Sequence, residues 1–469
     1  MSARSHRAQG GRVRSHIHAL LCVALTAIAP SVFNVAQALP VIPNLIGYGS
    51  DTPAGRGGKV IRVTNLNDSG TGSLKACTDA SGPRVCVFEI SGIIRAHADL
   101  IIRNPYLTIA GQTAPSPGIS IVGGAIWIAT HDVLIQHMRV RVGDDPDGPS
   151  YENRDAMKFS SDATNRVVVD HCSVALAVDE NIDMYSGWDN VTISNSIIAY
   201  GLHESFNPLG HAGYGLIIGP RKGGHATVVG NLFANNEARN PLSRAENVVI
   251  VNNVVYNRGQ ADVDLQGENG VVTNTTVMGN VFLRGPDYKK GYRPVHIFVT
   301  GKLVPTPGSK IYVADNDSIE TTSDPWSVTS TNLGDTIGSD LRSGVLPAWP
   351  AGMTRLSTSG KTVLNSVLKF AGARPADRDA LDKKAVSSVQ NNTGQIINCV
   401  ASDGSTRCQR NAGGWPTATS KTRALTLPSN PNTVTPSGYT NLELWLQKMS
   451  ADVEGVPQTL PPAPVLAIK

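Results

Sequence analysis

Helical periodicity is nearly absent from the middle of this 469-residue chain, which argues against helical solenoids and against folds that alternate strands with helices. Long apolar runs are missing as well. The longest near the start, Ala19 to Leu25, falls far short of the about 20 residues that cross a bilayer, so no membrane anchor is expected. Charge is sparse at 17% and aromatics sparser at 5%, while Gly, Asn, Val and Ile are plentiful, a balance that suits many short strands. The net charge of +4 rests on Arg4, Arg7, Arg12 and Arg14, with no acidic residue before residue 39. Without that segment the balance is zero, and nothing in it asks for a nucleic-acid or membrane partner. No cysteine spacing resembles a zinc site.

What is present begins with an export signal. An Arg-containing start, the apolar run and the small-x-small site Ala36-Gln37-Ala38 predict a signal peptide over residues 1–38 and an extracellular mature chain from Leu39. In an oxidising compartment, Cys77 with Cys86 and Cys399 with Cys408 are each placed to close a local disulfide. Cys172, inside an apolar strand run, reads as a buried free thiol.

The decisive feature is repetition. An alternating β-branched segment followed by a polar residue recurs at His137, His171, Asn195, Asn231, Asn253 and Asn280 and fades at Asp315. Those positions are 34, 24, 36, 22, 27 and 35 residues apart. The shorter intervals suit one coil of a parallel β-helix and the longer ones a coil with an inserted loop. The expected fold is all-β, a right-handed single-stranded parallel β-helix over residues 39–325, with a loop-rich extension over 326–469 packed on it. Asn195, Asn231, Asn253 and Asn280 are candidates for a stacked asparagine ladder. One late stretch, Leu442 to Met449, reads as an amphipathic helix.

Two groups of residues could carry chemistry. Asp155, Asp179 and Asp183 come from adjacent coils, and hard oxygen donors gathered without cysteine favour Ca2+; the bland reading is a solvated acidic turn. One coil further on, Arg239-Asn240-Pro241-Leu242-Ser243-Arg244 holds two guanidinium groups near a fixed bend, suited to gripping the carboxylates of an acidic polymer.

With Val168-Val169-Asp170-His171, the Asp179 to Asp183 pair, Asp189-Asn190-Val191-Thr192-Ile193-Ser194 and the Arg-x-Pro-x-x-Arg run, the segment from Asp155 to Asn253 resembles the catalytic region of the family 1 polysaccharide lyases, which include pectate and pectin lyases. That resemblance implies Asp155, Asp179 and Asp183 as calcium ligands, Arg239 as the catalytic base and Arg244 as a substrate-binding residue. The family's substrate-binding lysine is missing: His203 stands near its place, and the next lysine is Lys222, so these two are the candidates for its role. The implied activity is calcium-assisted β-elimination on polygalacturonate, an acidic plant cell-wall polysaccharide, by a monomeric secreted enzyme. A β-helical glycoside hydrolase acting on galacturonan would need paired carboxylates and would leave the Arg-x-Pro-x-x-Arg run without a reason. A β-helical adhesin or binding protein would make both clusters mere surface.

Overall fold

The computed structural model describes residues 39–456, apart from 147, 151, 209, 334–337 and 356, together with residues 466–467. The leader predicted for residues 1–38 lies outside the described residues. Among the described residues, short strands stack in register into three long sheets around one core, a parallel β-helix. The first sheet runs from Lys59–Val63 to Lys310–Ala314 in ten parallel strands. The second runs from Ile90–Arg95 to Val281–Leu283, with Lys421–Thr422 added antiparallel to its first strand. The third runs from Leu100–Ile102 to Thr329–Thr331 in nine strands, so parallel pairing continues past the boundary expected at residue 325. From Arg84–Phe88 to Val295–Ile297 the chain visits the three sheets in that order, coil after coil.

Alternation decides which side chains fill the cylinder. On the first sheet Ile135, Val169, Ile193, Val228, Ile250, Val277 and Val313 pair in register as an inward column, all of them buried. A shift of one residue would turn that whole column to the outside.

The polar repeat resolves into two adjacent columns. His137, His171, Asn195, Gly230, Asn252, Gly279 and Asp315 all have φ between 47° and 71°, the left-handed bend that carries the chain from the first sheet to the second. Asn, Asp, His and Gly are the residues that tolerate it best. In the later coils the next residue forms the ladder: Asn231 Nδ2 donates to Asn253 Oδ1, Asn253 Nδ2 to Asn280 Oδ1 and Asn280 Nδ2 to Asn316 Oδ1, each at 3.0 Å. Asn195 is not in it. It belongs to the bend, where its amide donates to Asp170 Oδ1 at 3.0 Å, and the ladder position of its coil is Ser196, whose backbone N–H donates to Asn231 Oδ1. Asn253 both accepts from Asn231 and donates to Val228 O and Asn280 Oδ1. Asn253→Ala therefore strands buried partners on two coils and should cost about 3 kcal/mol of stability in denaturant titrations.

Among the described residues, four α-helices accompany the coils: α1 (Leu74–Asp79), α2 (Gly360–Phe370), α3 (Ala380–Asn391) and α4 (Asn441–Glu454). Val363 and Val367 of α2 and Ala385 and Val389 of α3 pack on the outward side chains Ile197, Ala199, Leu232 and Val254 of the second sheet. Buried beneath α3, Asp382 receives Arg141 at 2.5 Å and accepts from Ser173 Oγ at 2.7 Å. Leu442 and Leu446 of α4 cover Val85, Val87 and Ala110 of the first sheet, each leucine contributing roughly 2 kcal/mol. Thr440 and Glu443 close a reciprocal capping box at the start of α4. Outward side chains of the third sheet belong to neither helical packing cluster, so that face is left for other use.

At the far end of α4, Glu454 approaches His137 at 3.5 Å and His171 at 3.7 Å, and the two rings stack. Burial opposes charge on His171, yet Asp170 and Glu454 raise it to about 9; burial, with His171 adding positive charge, pushes His137 down to about 3. A histidine raised in this way stabilises the fold fully below the unfolded value near 6.5 and loses that contribution as pH rises through about 9. Melting temperature should accordingly fall between those values, by an amount worth up to ~3 kcal/mol, and the fall should vanish in His171→Gln.

Cys77–Cys86 and Cys399–Cys408 are disulfide-bonded. Cys172 is free and buried, and burial pushes its thiol up to about 12, leaving it inert.

Candidate active site

The open face of the third sheet gathers charge at its entry edge. In successive coils Asp155 precedes Met157–Lys158, Asp179 precedes Glu180–Met184, Tyr214 opens Tyr214–Ile218, and Arg239 lies before Leu242–Ser243. Backbone pairing fixes their spacing: Asp179 N–H donates to Arg154 O, Tyr214 N–H to Asp179 O and Leu216 N–H to Arg239 O. The coils stack at the ordinary inter-strand distance of about 4.8 Å, so the four positions form one short column.

Asp155, Asp179 and Glu180 each place a carboxylate oxygen within 4.8 Å of the others. Asp155 is 1% exposed and its Oδ1 accepts the Glu180 N–H at 2.9 Å. Burial, reinforced by the negative charge of Asp183 and Asp179 and opposed by Lys158, holds Asp155 well above the usual carboxylate range. Burial also raises Asp179, against the pull of Arg239. Asp183 is raised by burial too, but it stands outside the closest group: Ser160 Oγ and the Tyr185 N–H donate to its two oxygens at 2.7 Å. Three sequence-predicted acids are thus neighbours, with Glu180 rather than Asp183 completing the tightest set.

Arg239 has φ 60° and precedes the cis bond between Asn240 and Pro241. Its guanidinium lies over the Tyr214 ring, 3.8 Å from the centroid, and reaches past that ring to an ion pair with Glu180. Burial lowers its basicity, Asp179 opposes the shift, and Arg244 adds to it. Arg244 sits beyond the other end of Leu242–Ser243, where its Nε donates to Gln266 Oε1 at 2.8 Å and Glu268 lies 4.0 Å away.

Of the two candidates for the missing lysine, His203 packs on Gly213, the residue before Tyr214. The His203 Nδ1 bonds the Ala212 carbonyl at 3.0 Å, its ring stacks on His211 and its Nε2 is 3.9 Å from Glu237. Lys222 is exposed on the turn before His225–Val229. The lysine that reaches the carboxylates is Lys158, which pairs with Asp99 at 3.3 Å and Asp155 at 3.8 Å and faces Asp183 in register. Glu180, Lys158 and Tyr214 escaped the sequence reading. Glu180 adjoins a predicted ligand, but strict alternation along the strand hides it, and only coil register brings Lys158 and Tyr214 beside the acids.

The donor set is all hard oxygen, partly to fully buried, and richer in negative charge than the nearby Lys158 and Arg239 can balance. It fits a divalent cation of the calcium type. No helix among the described residues is long and apolar enough to cross a membrane.

No family model matches the chain. The probable pectate lyase C of Aspergillus flavus is 32% identical over 437 residues, covering 89% of this chain and 96% of that protein. Its counterpart in Neosartorya fischeri is 31% identical over 454 residues, 92% and 98% of the two chains. Among solved structures, that of the thermostable pectate lyase PL 47 aligns with a TM-score of 0.48 at 14% identity, covering 72% of this chain and 99% of that one. Since relatives above 30% identity run along nearly the whole of both sequences, the chain belongs to the pectate lyase family and is a polysaccharide lyase.

Proposed function

We propose that this lyase acts outside the cell on pectate, cleaving polygalacturonate by calcium-assisted β-elimination. The observation that carries the reading is the column in which Asp155, Asp179 and Glu180 gather within 4.8 Å of one another while Arg239, over Tyr214, reaches into the same group. Asp155 and Asp179, with Asp183 beside them, would hold the ion, which supplies a Lewis acid for a substrate carboxylate.

The chain's own groups account for the remaining demands. Elimination takes the proton from C5, next to the carboxylate, and breaks the bond from C4 to the glycosidic oxygen, which departs with the electron pair and takes a proton from solvent, leaving a C4–C5 double bond. Arg239 is the proton acceptor: burial and the nearby Arg244 disfavour its charged form, the direction a base requires. Arg244 supplies fixed positive charge toward the carboxylate whose negative charge grows as C5 loses its proton. The predicted leader supports export.

Free carboxylates are the recognition element in this scheme, so esterified pectin should be a poor substrate. Polygalacturonate should yield ultraviolet-absorbing unsaturated ends at least about tenfold faster than highly methyl-esterified pectin. Equal rates on both would sink the pectate assignment, and reducing ends without ultraviolet absorbance would favour hydrolysis.

A further inference from the structure

Arg239 and Glu180 lie two coils apart, with the Tyr214 coil between them, and still form an ion pair. Arg239 crosses the Tyr214 ring to make it. Glu180 is 5% exposed and is also one of the three carboxylates close enough to share one cation. One carboxylate therefore stands between Arg239 and a candidate cation position.

We infer that Glu180 is a positioning residue that latches Arg239 until calcium arrives. In the ion-free protein Glu180 ties the guanidinium down as a counter-ion. When Glu180 turns its carboxylate to calcium, Arg239 loses its acidic partner and stays over Tyr214, whose ring face retains a cation at modest strength. Metal loading and the placement of Arg239 are thereby linked through one side chain. Lys158 repeats the arrangement on the N-terminal side, where it is the counter-ion of Asp155. The inference rests on the calcium reading above but predicts something that reading does not: calcium and Arg239 compete for Glu180 even with no polymer present.

Calcium calorimetry on the polymer-free protein measures this directly, in wild type, Arg239→Gln, Glu180→Gln and the double variant. Arg239→Gln should bind calcium about tenfold more tightly than wild type, because the competitor is gone. Glu180→Gln should bind more weakly, and the gain from Arg239→Gln should disappear in the Glu180→Gln background, the non-additivity expected of groups sharing a partner. An equal gain in both backgrounds would show long-range repulsion only and overturn the latch alone, as would no gain in either. Absence of binding in all four proteins, wild type included, would overturn the calcium reading with it. Should a variant fail to fold, the Arg239 guanidinium 15N resonances of wild type carry the test: they should shift with the same calcium midpoint as binding, and resonances that stay fixed would overturn the latch.

Discussion

Arg239→Lys should lower turnover on polygalacturonate about a thousandfold at every calcium concentration while leaving polymer binding largely intact. The size follows from the general-base role, worth roughly 10²–10⁴ in rate. Lysine keeps a positive charge near the carboxylates but cannot reproduce the planar group that lies over Tyr214. The loss should therefore fall on kcat, with KM little changed. Single-turnover kinetics together with polymer-binding measurements separate the two, and near-normal kcat would remove Arg239 from the chemistry.

The second large effect concerns the acids. Asp179→Asn should weaken calcium binding about a hundredfold, and excess calcium should restore much of the rate, since losing one ligand lowers affinity before it destroys the geometry. Asp183→Asn should weaken binding less, about tenfold. Its oxygens are already satisfied by Ser160 and the Tyr185 N–H, and it stands outside the closest carboxylate group. Calcium titrations of both variants check the order; a larger loss at Asp183 would reverse the assignment of the ligands.

The strands were legible because alternation in a β-helix is written directly into the chain: the column from Ile135 to Val313 can be picked out by its spacing alone. The ladder was misread by one residue in the coil of Asn195. Bend and ladder positions are adjacent and both favour asparagine, so only pairing distinguishes Asn195 from Ser196. At the site, the acids and the two arginines showed as local clusters. Glu180, Lys158 and Tyr214 did not, because what matters about them is which coil each faces, and that depends on loop lengths between strands. Coil register likewise sets the surroundings of His203, which stands near the family lysine in sequence and turns toward His211 and Glu237. Residues linking α3 to the core, Arg139 and Arg141 with Asp382, are more than two hundred positions apart and carry no local signature.

Elimination that depends on a bound divalent cation is tested most directly by following ultraviolet-absorbing ends and reducing ends together on polygalacturonate, first under chelation and then with calcium restored. Neither product should form under chelation, and both should appear in equal number once calcium returns. Reducing ends without ultraviolet absorbance, or a rate that chelation leaves untouched, would contradict it.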